Sequence, residues 1–205
     1  MFAFIAREPI LDKSKSVFAY ELIFRDGKGG AYPEHSPEKA QYIEAQFHPL
    51  GLDDISGEKS SFINFSSETL ISRFPTTLDP ASVVVELADN PFTETGLLEA
   101  CQHIKQLGYR LAIDDPMMLS ARHDILPLID IVKVDVSRTR FETIEKHIPR
   151  YLDANVKLVA EQVNTPDHFA TCSDLGFDLF QGYFFAQPEA RIVRQLPASK
   201  MNIVD

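Results

Sequence analysis

The sequence predicts an α/β fold, a (β/α)8 TIM-like barrel with one antiparallel strand near the N-terminus. Three observations predict it. Short, continuous apolar runs alternate with amphipathic stretches along most of the 205 residues, the pattern of a parallel sheet covered by helices. Seven or eight such runs fit a closed barrel better than a small open sheet. No run is followed by G-x-G-x-x-G, so a dinucleotide-binding sheet has no fingerprint here. The length lies near the lower limit of roughly 200 residues for such barrels and suffices for one real core.

The elements follow in order. Phe2–Ile10 and Val17–Phe24 are apolar runs separated by the turn Asp12-Lys13-Ser14-Lys15, which makes them an antiparallel pair. Residues 26–30, Asp-Gly-Lys-Gly-Gly, form a loop without phosphate-cradle spacing. Pro37–Phe47 reads as a helix, with Ser36 as N-cap and Pro37 at its first position. Strands follow at Phe62–Phe65 and Val83–Glu86. Thr93–Leu107 is helical, with Leu97, Cys101, Ile104 and Leu107 on one face and Gly108 as its stop. Arg110–Ile113 is a strand ending in Asp114-Asp115, and Ile131–Val136 carries Lys133. Phe141–Leu152 is helical, with Pro149 expected to kink or end it. Lys157–Ala160 is a strand ending in Glu161. Thr165-Pro166-Asp167 opens a helix closed by Gly176, and Phe177–Phe185 is the last strand. Residues 1–190 are thus expected to form the barrel and 191–205 a linker, tail or terminal helix.

Composition narrows the function. The formal net charge of −10 repels nucleic acid and anionic membrane surfaces, so neither is an expected partner. A small anionic ligand remains compatible if cations lie between it and the protein. Cys101 and Cys172 have no C-x-x-C or zinc spacing and read as free thiols of a reducing cytoplasm. Met1–Ile5 lacks the features of a signal peptide, and no run approaches a membrane span. The six histidines are scattered, and neither H-E-x-x-H nor G-x-S-x-G occurs.

The informative pattern is where polar residues interrupt or end the apolar runs: Glu21, Asn64, Glu86, Asp114, Asp115, Lys133, Glu161 and Gln181. Each alone reads as a loop residue, a cap or a snorkelling side chain. Together they fall on successive strands, and strand C-termini converge on one mouth of a barrel. Several carboxylates in one place are costly unless cations neutralise them. Glu, Asp, Asn and Gln oxygens suit Mg²⁺, Mn²⁺ or Ca²⁺. Adjacent aspartates can serve two ions, as two-metal phosphodiester hydrolysis requires.

These residues sit in motifs that resemble the EAL-domain family. Tyr20-Glu21-Leu22-Ile23-Phe24-Arg25 resembles E-A-L-L-R, and Ile63-Asn64-Phe65-Ser66 resembles V-N-[IL]-S. Glu86-Leu87-Ala88-Asp89 resembles E-L-T-E, Asp114-Asp115 the start of D-D-F-G-T-G, and Lys133-Val134-Asp135 K-I-D. Val159–Val163 resembles V-A-E-G-V, and Gln181–Pro188 resembles Q-G-Y-x-F-x-x-P. The resemblance runs from about Phe4 to Pro188 in the family's order. It implies a cytoplasmic phosphodiesterase of bacterial second-messenger signalling that opens cyclic di-GMP to linear pGpG with two divalent ions, Mg²⁺ or Mn²⁺. Glu21, Asn64, Glu86 and Asp114 would hold the first ion, with Asp114 and Asp115 holding the second. Lys133 would position water and phosphate, Glu161 would act as base or second-ion ligand, and Gln181 would support bound water. Ile23, Arg25, Gln181 and Pro188 would line the ligand, and Asp89 would anchor the loop after the aspartate pair.

The departures are equally specific. That loop, F-G-T-G in the family, is Pro116-Met117-Met118-Leu119-Ser120-Ala121 here, without glycine. The resemblance implies that it couples ion binding to a homodimer. Asp89 replaces a glutamate, and Asn164 replaces the second glutamate of E-G-V-E. Glu8 stands where glutamine often precedes Pro-Ile, and a carboxylate there repels an anionic ligand. These changes motivate an alternative: a catalytically silent domain that senses cyclic di-GMP or binds a protein. The start, Ala6–Asp12, resembles the subgroup in which the domain precedes an HDOD domain, so such a C-terminal partner is also expected.

Overall fold

The computed structural model describes residues 4–25, 52–72, 78–87, 96–114 and 125–192. The expected helix 37–47 and the loops 26–30 and 116–121 lie outside them. β1 (Phe4–Asp12) and β2 (Val17–Arg25) form the antiparallel hairpin, with Glu8 opposite Glu21 and Ile10 opposite Ala19. The Asp12 carboxylate makes the turn by accepting from the backbone N–H groups of Ser14 and Ser16 at 2.8 and 3.0 Å.

β3 (Ser60–Phe65), β4 (Val83–Leu87), β5 (Arg110–Asp114), β6 (Ile131–Asp135), β7 (Lys157–Glu161) and β8 (Leu179–Phe180) then add in parallel to β2. β1 also pairs antiparallel with β8, Leu11 opposite Phe180, and so closes an eight-stranded barrel. Outside the sheet lie α1 (Asp53–Ser56), α2 (Ser67–Ser72), α3 (Leu97–Gln106), a 3₁₀ turn at Leu126–Leu128, α4 (Phe141–Asp153) and α5 (Pro166–Asp174). Among the described residues no helix is long and apolar enough to cross a membrane.

Strand periodicity of two sorts the apolar residues into two cores. One side packs against the helices: Ile63, Val85, Leu111, Val132 and Leu158 meet Cys101 and Ile104 of α3 and Ile144 and Ile148 of α4. The other side fills the barrel with one residue per strand: Ile10, Ala19, Phe62, Val84, Ala112, Ile131, Val159 and Leu179. Arg7 ties β1 outward. Its guanidinium donates to the Ile55 carbonyl at 2.7 Å, lies 4.4 Å over the Tyr20 ring and pairs with Glu189.

The helix expected over Phe141–Leu152 is found, and of the two outcomes expected at Pro149 an ending does not occur: α4 continues to Asp153. Proline leaves only the Glu145 carbonyl without its helical donor, and the stripe Ile144, Ile148 and Tyr151 holds the last turn on the sheet. Leu107 is 37% exposed at the end of α3 rather than part of its buried face. The last barrel strand is two residues long, because Phe184 and Phe185 leave the sheet to pack on Phe169. Residues 191 and 192, expected beyond the barrel, belong to β9 (Glu189–Ile192), which pairs antiparallel with Phe4–Arg7 of β1.

The turn out of β8 depends on Gly182. Its φ is 146°, and a Cβ there would fall on the Val163 backbone, 2.5 Å from the carbonyl oxygen and 2.8 Å from its carbon. Gly182→Ala is expected to destabilise the fold by about 3 kcal/mol or more, from overpacking and backbone strain together. Urea denaturation of the two proteins measures it, and a loss under 1 kcal/mol would show that Val163 yields.

Candidate active site at the barrel mouth

The inward face continues past the apolar tier. Two residues further along each parallel strand stand Glu21, Asn64, Glu86, Asp114, Lys133, Glu161 and Gln181. β1 runs the other way, so its polar residue precedes its apolar one: Glu8, then Ile10. Every stave therefore carries one polar residue toward the same end.

Register arranges them in directly opposed pairs. Glu8 faces Glu21, Asn64 faces Glu86 and Asp114 faces Lys133. β7 and β8 pair at Val159–Leu179 and Ala160–Phe180, and Glu161 and Gln181 follow side by side just past them. At the interfaces between pairs the strands step by two, with Glu21 beside Phe62, Glu86 beside Ala112 and Lys133 beside Val159. This is the stagger that closes a barrel.

Lys133 is the hub. Only 1% exposed, its Nζ lies 2.7 Å from Glu86 Oε1, 2.8 Å from Glu161 Oε1, 3.2 Å from Glu21 Oε2 and 3.5 Å from Asp114 Oδ1. Gln181 Nε2 donates to Glu21 Oε2 at 2.7 Å. Burial favours the neutral amine, but Glu161, Glu21, Glu86 and Asp114 together outweigh it and hold Lys133 charged. Burial likewise pushes the Glu86 carboxyl well above its ordinary range against the pull of Lys133. Burial, then the Glu21 charge, raise Glu8. Glu161 is pushed up to about 7, first by burial and then by Asp114 and Glu21, with Lys133 opposing. The layer thus sets five carboxylates around one ammonium, a formal excess of four negative charges.

Four buried oxygens in this ring have no hydrogen-bond donor: Asn64 Oδ1, Glu86 Oε2, Asp114 Oδ1 and Gln181 Oε1. Asn64, Glu86 and Asp114 lie on the consecutive strands β3, β4 and β5. Hard oxygen acceptors without protons, beside excess negative charge, fit a divalent cation. Among the described residues no three of His, Cys, Asp or Glu converge on one metal-sized point. The set here is two carboxylates and an amide; Glu86 and Asp114 share the ammonium with Glu21 and Glu161.

The expected site residues are placed unequally. Glu21, Asn64, Glu86, Asp114, Lys133, Glu161 and Gln181 come together as the sequence pattern requires. Ile23 stands two residues above Glu21 on β2, half-buried, and Pro188 immediately precedes β9. Asp89 and Asp115 lie outside the described residues, as does the side chain of Arg25, whose backbone pairs with Phe4. Asn164 accepts from the Tyr183 N–H at 3.2 Å, and Asp135 caps its own turn by accepting from the Ser137 N–H at 2.8 Å. Glu8, flagged in the sequence only as a departure, is a full member of the ring. The signal that finds it is the reversed period of two on an antiparallel strand.

The raised Glu161 carboxyl links stability to pH. Its value of about 7 exceeds the ordinary 4.5, so the native state binds more protons than the unfolded chain between those values. The metal-free protein should therefore lose stability as pH rises from 4.5 through 7, on the order of 3 kcal/mol from this group. Urea midpoints between pH 5 and 8 measure it, and Glu161→Gln should flatten the slope. A wild-type slope of zero or opposite sign contradicts the assignment.

Comparison with known proteins agrees with this geometry. Residues 43–188 match the EAL domain. The chain is 35% identical over 206 residues to the cyclic di-GMP phosphodiesterase CdgJ of Vibrio cholerae, covering 98% of this chain and 47% of CdgJ. It is 29% identical over 195 residues to the uncharacterized protein YuxH of Bacillus subtilis, covering 92% of this chain and 48% of YuxH. The chain thus spans about half the length of these relatives. Among solved structures, BlrP1 of Klebsiella pneumoniae in complex with manganese and cyclic di-GMP superposes with a TM-score of 0.75 at 20% identity, over 93% of this chain and 57% of that one. A standalone EAL protein of Vibrio cholerae bound to cyclic di-GMP superposes with a TM-score of 0.68 at 24% identity, over 91% of this chain and 92% of that one. By its matched sequence, its barrel and the order of its motifs, the chain belongs to the EAL-domain family.

Proposed function

We propose that this chain is a cation-dependent cyclic di-GMP phosphodiesterase that opens its substrate to linear pGpG. The observation that carries the reading is the set of donorless oxygens, Asn64 Oδ1, Glu86 Oε2 and Asp114 Oδ1, around the ammonium of Lys133. A binding module with no anionic ligand and no cation has no use for so costly an arrangement.

Asn64, Glu86 and Asp114, with Glu21, are the residues that would hold one divalent ion, and Asp114 with Asp115 a second, Mg²⁺ or Mn²⁺. Such ions, when bound, supply charge against the phosphate and acidify an attacking water. Lys133 adds a fixed positive charge aimed at the phosphate. Glu161, poised near neutrality, accepts the proton of the attacking water. The new bond joins the water oxygen to phosphorus, the bond to one ribose oxygen breaks, and that oxygen takes a proton from solvent to leave as a hydroxyl. Gln181 orients Glu21 through the 2.7 Å hydrogen bond. Ile23, Arg25 and Pro188 are proposed to line the ligand, and Asp89 to hold the loop over it. A homodimer and a C-terminal HDOD partner belong to the same reading. The second reading, a ligand-binding domain without turnover, is favoured by the glycine-less sequence Pro116–Ala121 after the aspartate pair, whereas the Glu8–Glu21 pair, whose charge opposes a phosphate, favours a module that binds a protein instead.

The purified chain with MnCl₂ or MgCl₂ should convert cyclic di-GMP to pGpG, read by chromatography, and chelator should stop it. Glu21→Ala should reduce turnover at least about 100-fold while thermal unfolding stays cooperative. Undiminished turnover in that variant removes the proposed chemistry from this ring. Separately, Arg25→Ala should weaken ligand binding by about tenfold or more in calorimetry. An unchanged affinity takes Arg25 out of the ligand site.

A further inference from the structure

Two of the opposed pairs in the polar ring join a carboxylate to an amide or an ammonium, Asn64 with Glu86 and Asp114 with Lys133, and Glu161 and Gln181 follow side by side just past the last β7–β8 pair. The remaining pair joins two carboxylates, Glu8 and Glu21. Like charges directly opposite destabilise an antiparallel pair, and burial removes the solvent that would screen them. Glu8 is only 8% exposed. Lys133 relieves only part of the conflict: it pairs with Glu21 at 3.2 Å but shares its charge with Glu86, Asp114 and Glu161 and makes no ion pair with Glu8. Gln181 relieves part of it. Its amide donates to Glu21 at 2.7 Å and helps hold down the Glu8 carboxyl against the rise that burial causes. Its other end then adds to the imbalance: Gln181 is 4% exposed, and its Oε1 has no donor. The adjacent strands β8, β1 and β2 thus bring two opposed carboxylates next to a buried amide whose oxygen has no donor.

We propose that Glu8 is a cation ligand: with Glu21 and the Gln181 carbonyl oxygen it holds an additional divalent ion on the β8–β1–β2 side of the mouth. The inference rests on the cation-dependent reading above and extends it across the ring from the oxygens of β3–β5. Glu21, on β2, lies between the two sets. Three hard oxygens, two of them charged, suit Mg²⁺, Mn²⁺ or Ca²⁺ and leave positions for water or a phosphate oxygen. A glutamine at position 8 would complete the pairing rule of the other pairs and remove one charged ligand.

The test is calorimetric titration of the ligand-free chain with MnCl₂, without substrate, on wild type, Glu8→Gln and Glu86→Gln. Glu8→Gln should bind one Mn²⁺ equivalent fewer than wild type. Glu86→Gln should lose the β3–β5 equivalent instead. Without metal, Glu8→Gln should melt higher than wild type, because the like-charge pair is gone, and Mn²⁺ should raise its melting temperature less. Glu8→Asp, whose carboxylate is withdrawn by one methylene, should keep the stoichiometry with binding weakened about tenfold, and it decides the matter if the glutamine variant misfolds. Wild-type stoichiometry and affinity retained in both Glu8 variants, with Glu86→Gln impaired, would overturn the role of Glu8 and leave the cation-dependent reading standing. No Mn²⁺ binding by wild type would overturn both.

Discussion

A single ammonium, held inside a barrel with no exposed face, is the constraint on which the rest of this structure depends. An isolated lysine at that depth would surrender its proton or unfold its surroundings. Here Glu86 and Glu161 at 2.7 and 2.8 Å, with Glu21 and Asp114 further out, retain it. The dependence is mutual. Without Lys133 the same carboxylates would repel one another across the barrel axis. The charge is also graded. Glu86 and Lys133 lie at the bottom, each 1% exposed, whereas the Asp114 side chain at the rim is 31% exposed. The groups nearest solvent are those that a ligand or ion can reach without displacing the hub.

The hub can exist only because the register delivers one polar residue per strand to the same end. The apolar tier beneath it seals the opposite end, with small Ala19 and Ala112 making room for Phe62. Slipping any one strand by a single residue would turn its polar member outward and its oily neighbours inward. The hairpin makes the rule stricter. Because β1 runs against the others, its polar residue must come before its apolar one, and Glu8-Pro9-Ile10 meets that order. Site and fold are therefore one specification: the residues that would do chemistry are also those that cannot change register.

Much of this was legible in the sequence because parallel strands announce themselves as apolar runs and their C-terminal ends carry the odd polar residue. Seven of the ring members, Glu21 through Gln181, were readable in that way. Glu8 was not, because on an antiparallel strand the functional end is the N-terminal one. Local patterns misled where tertiary packing overrode them. Pro149 left open a kink or an end, and the buried Ile144–Ile148–Tyr151 stripe carries the helix past it. Phe184 and Phe185 looked like strand because aromatic residues favour strands, yet they pack better on Phe169. β9 was missed because Glu-Ala-Arg-Ile, though it alternates, is only four residues long, and its place is set by the edge of Phe4–Arg7 that β2 leaves open.

One local cost shows how tightly the β7–β8 side is set. Gln162, directly after Glu161, has φ of 57°, a left-handed backbone that costs a residue other than glycine roughly 1–2 kcal/mol. The turn returns the Val163 N–H to the Gln181 carbonyl at 2.9 Å, while the Gln181 N–H donates to Ala160 at 2.8 Å. Gly182 then lies against the Val163 backbone too closely for any side chain. These contacts lock the peptide units that carry Glu161 and Gln181 to each other. Adjustment to an incoming ion or phosphate is thereby left to side chains rather than to the β7–β8 backbone. Asp114, the most exposed of the acids around Lys133, has the most room for it. A barrel that accepts a strained glutamine to hold one side of its mouth rigid has, in effect, chosen which half of the ring stays still.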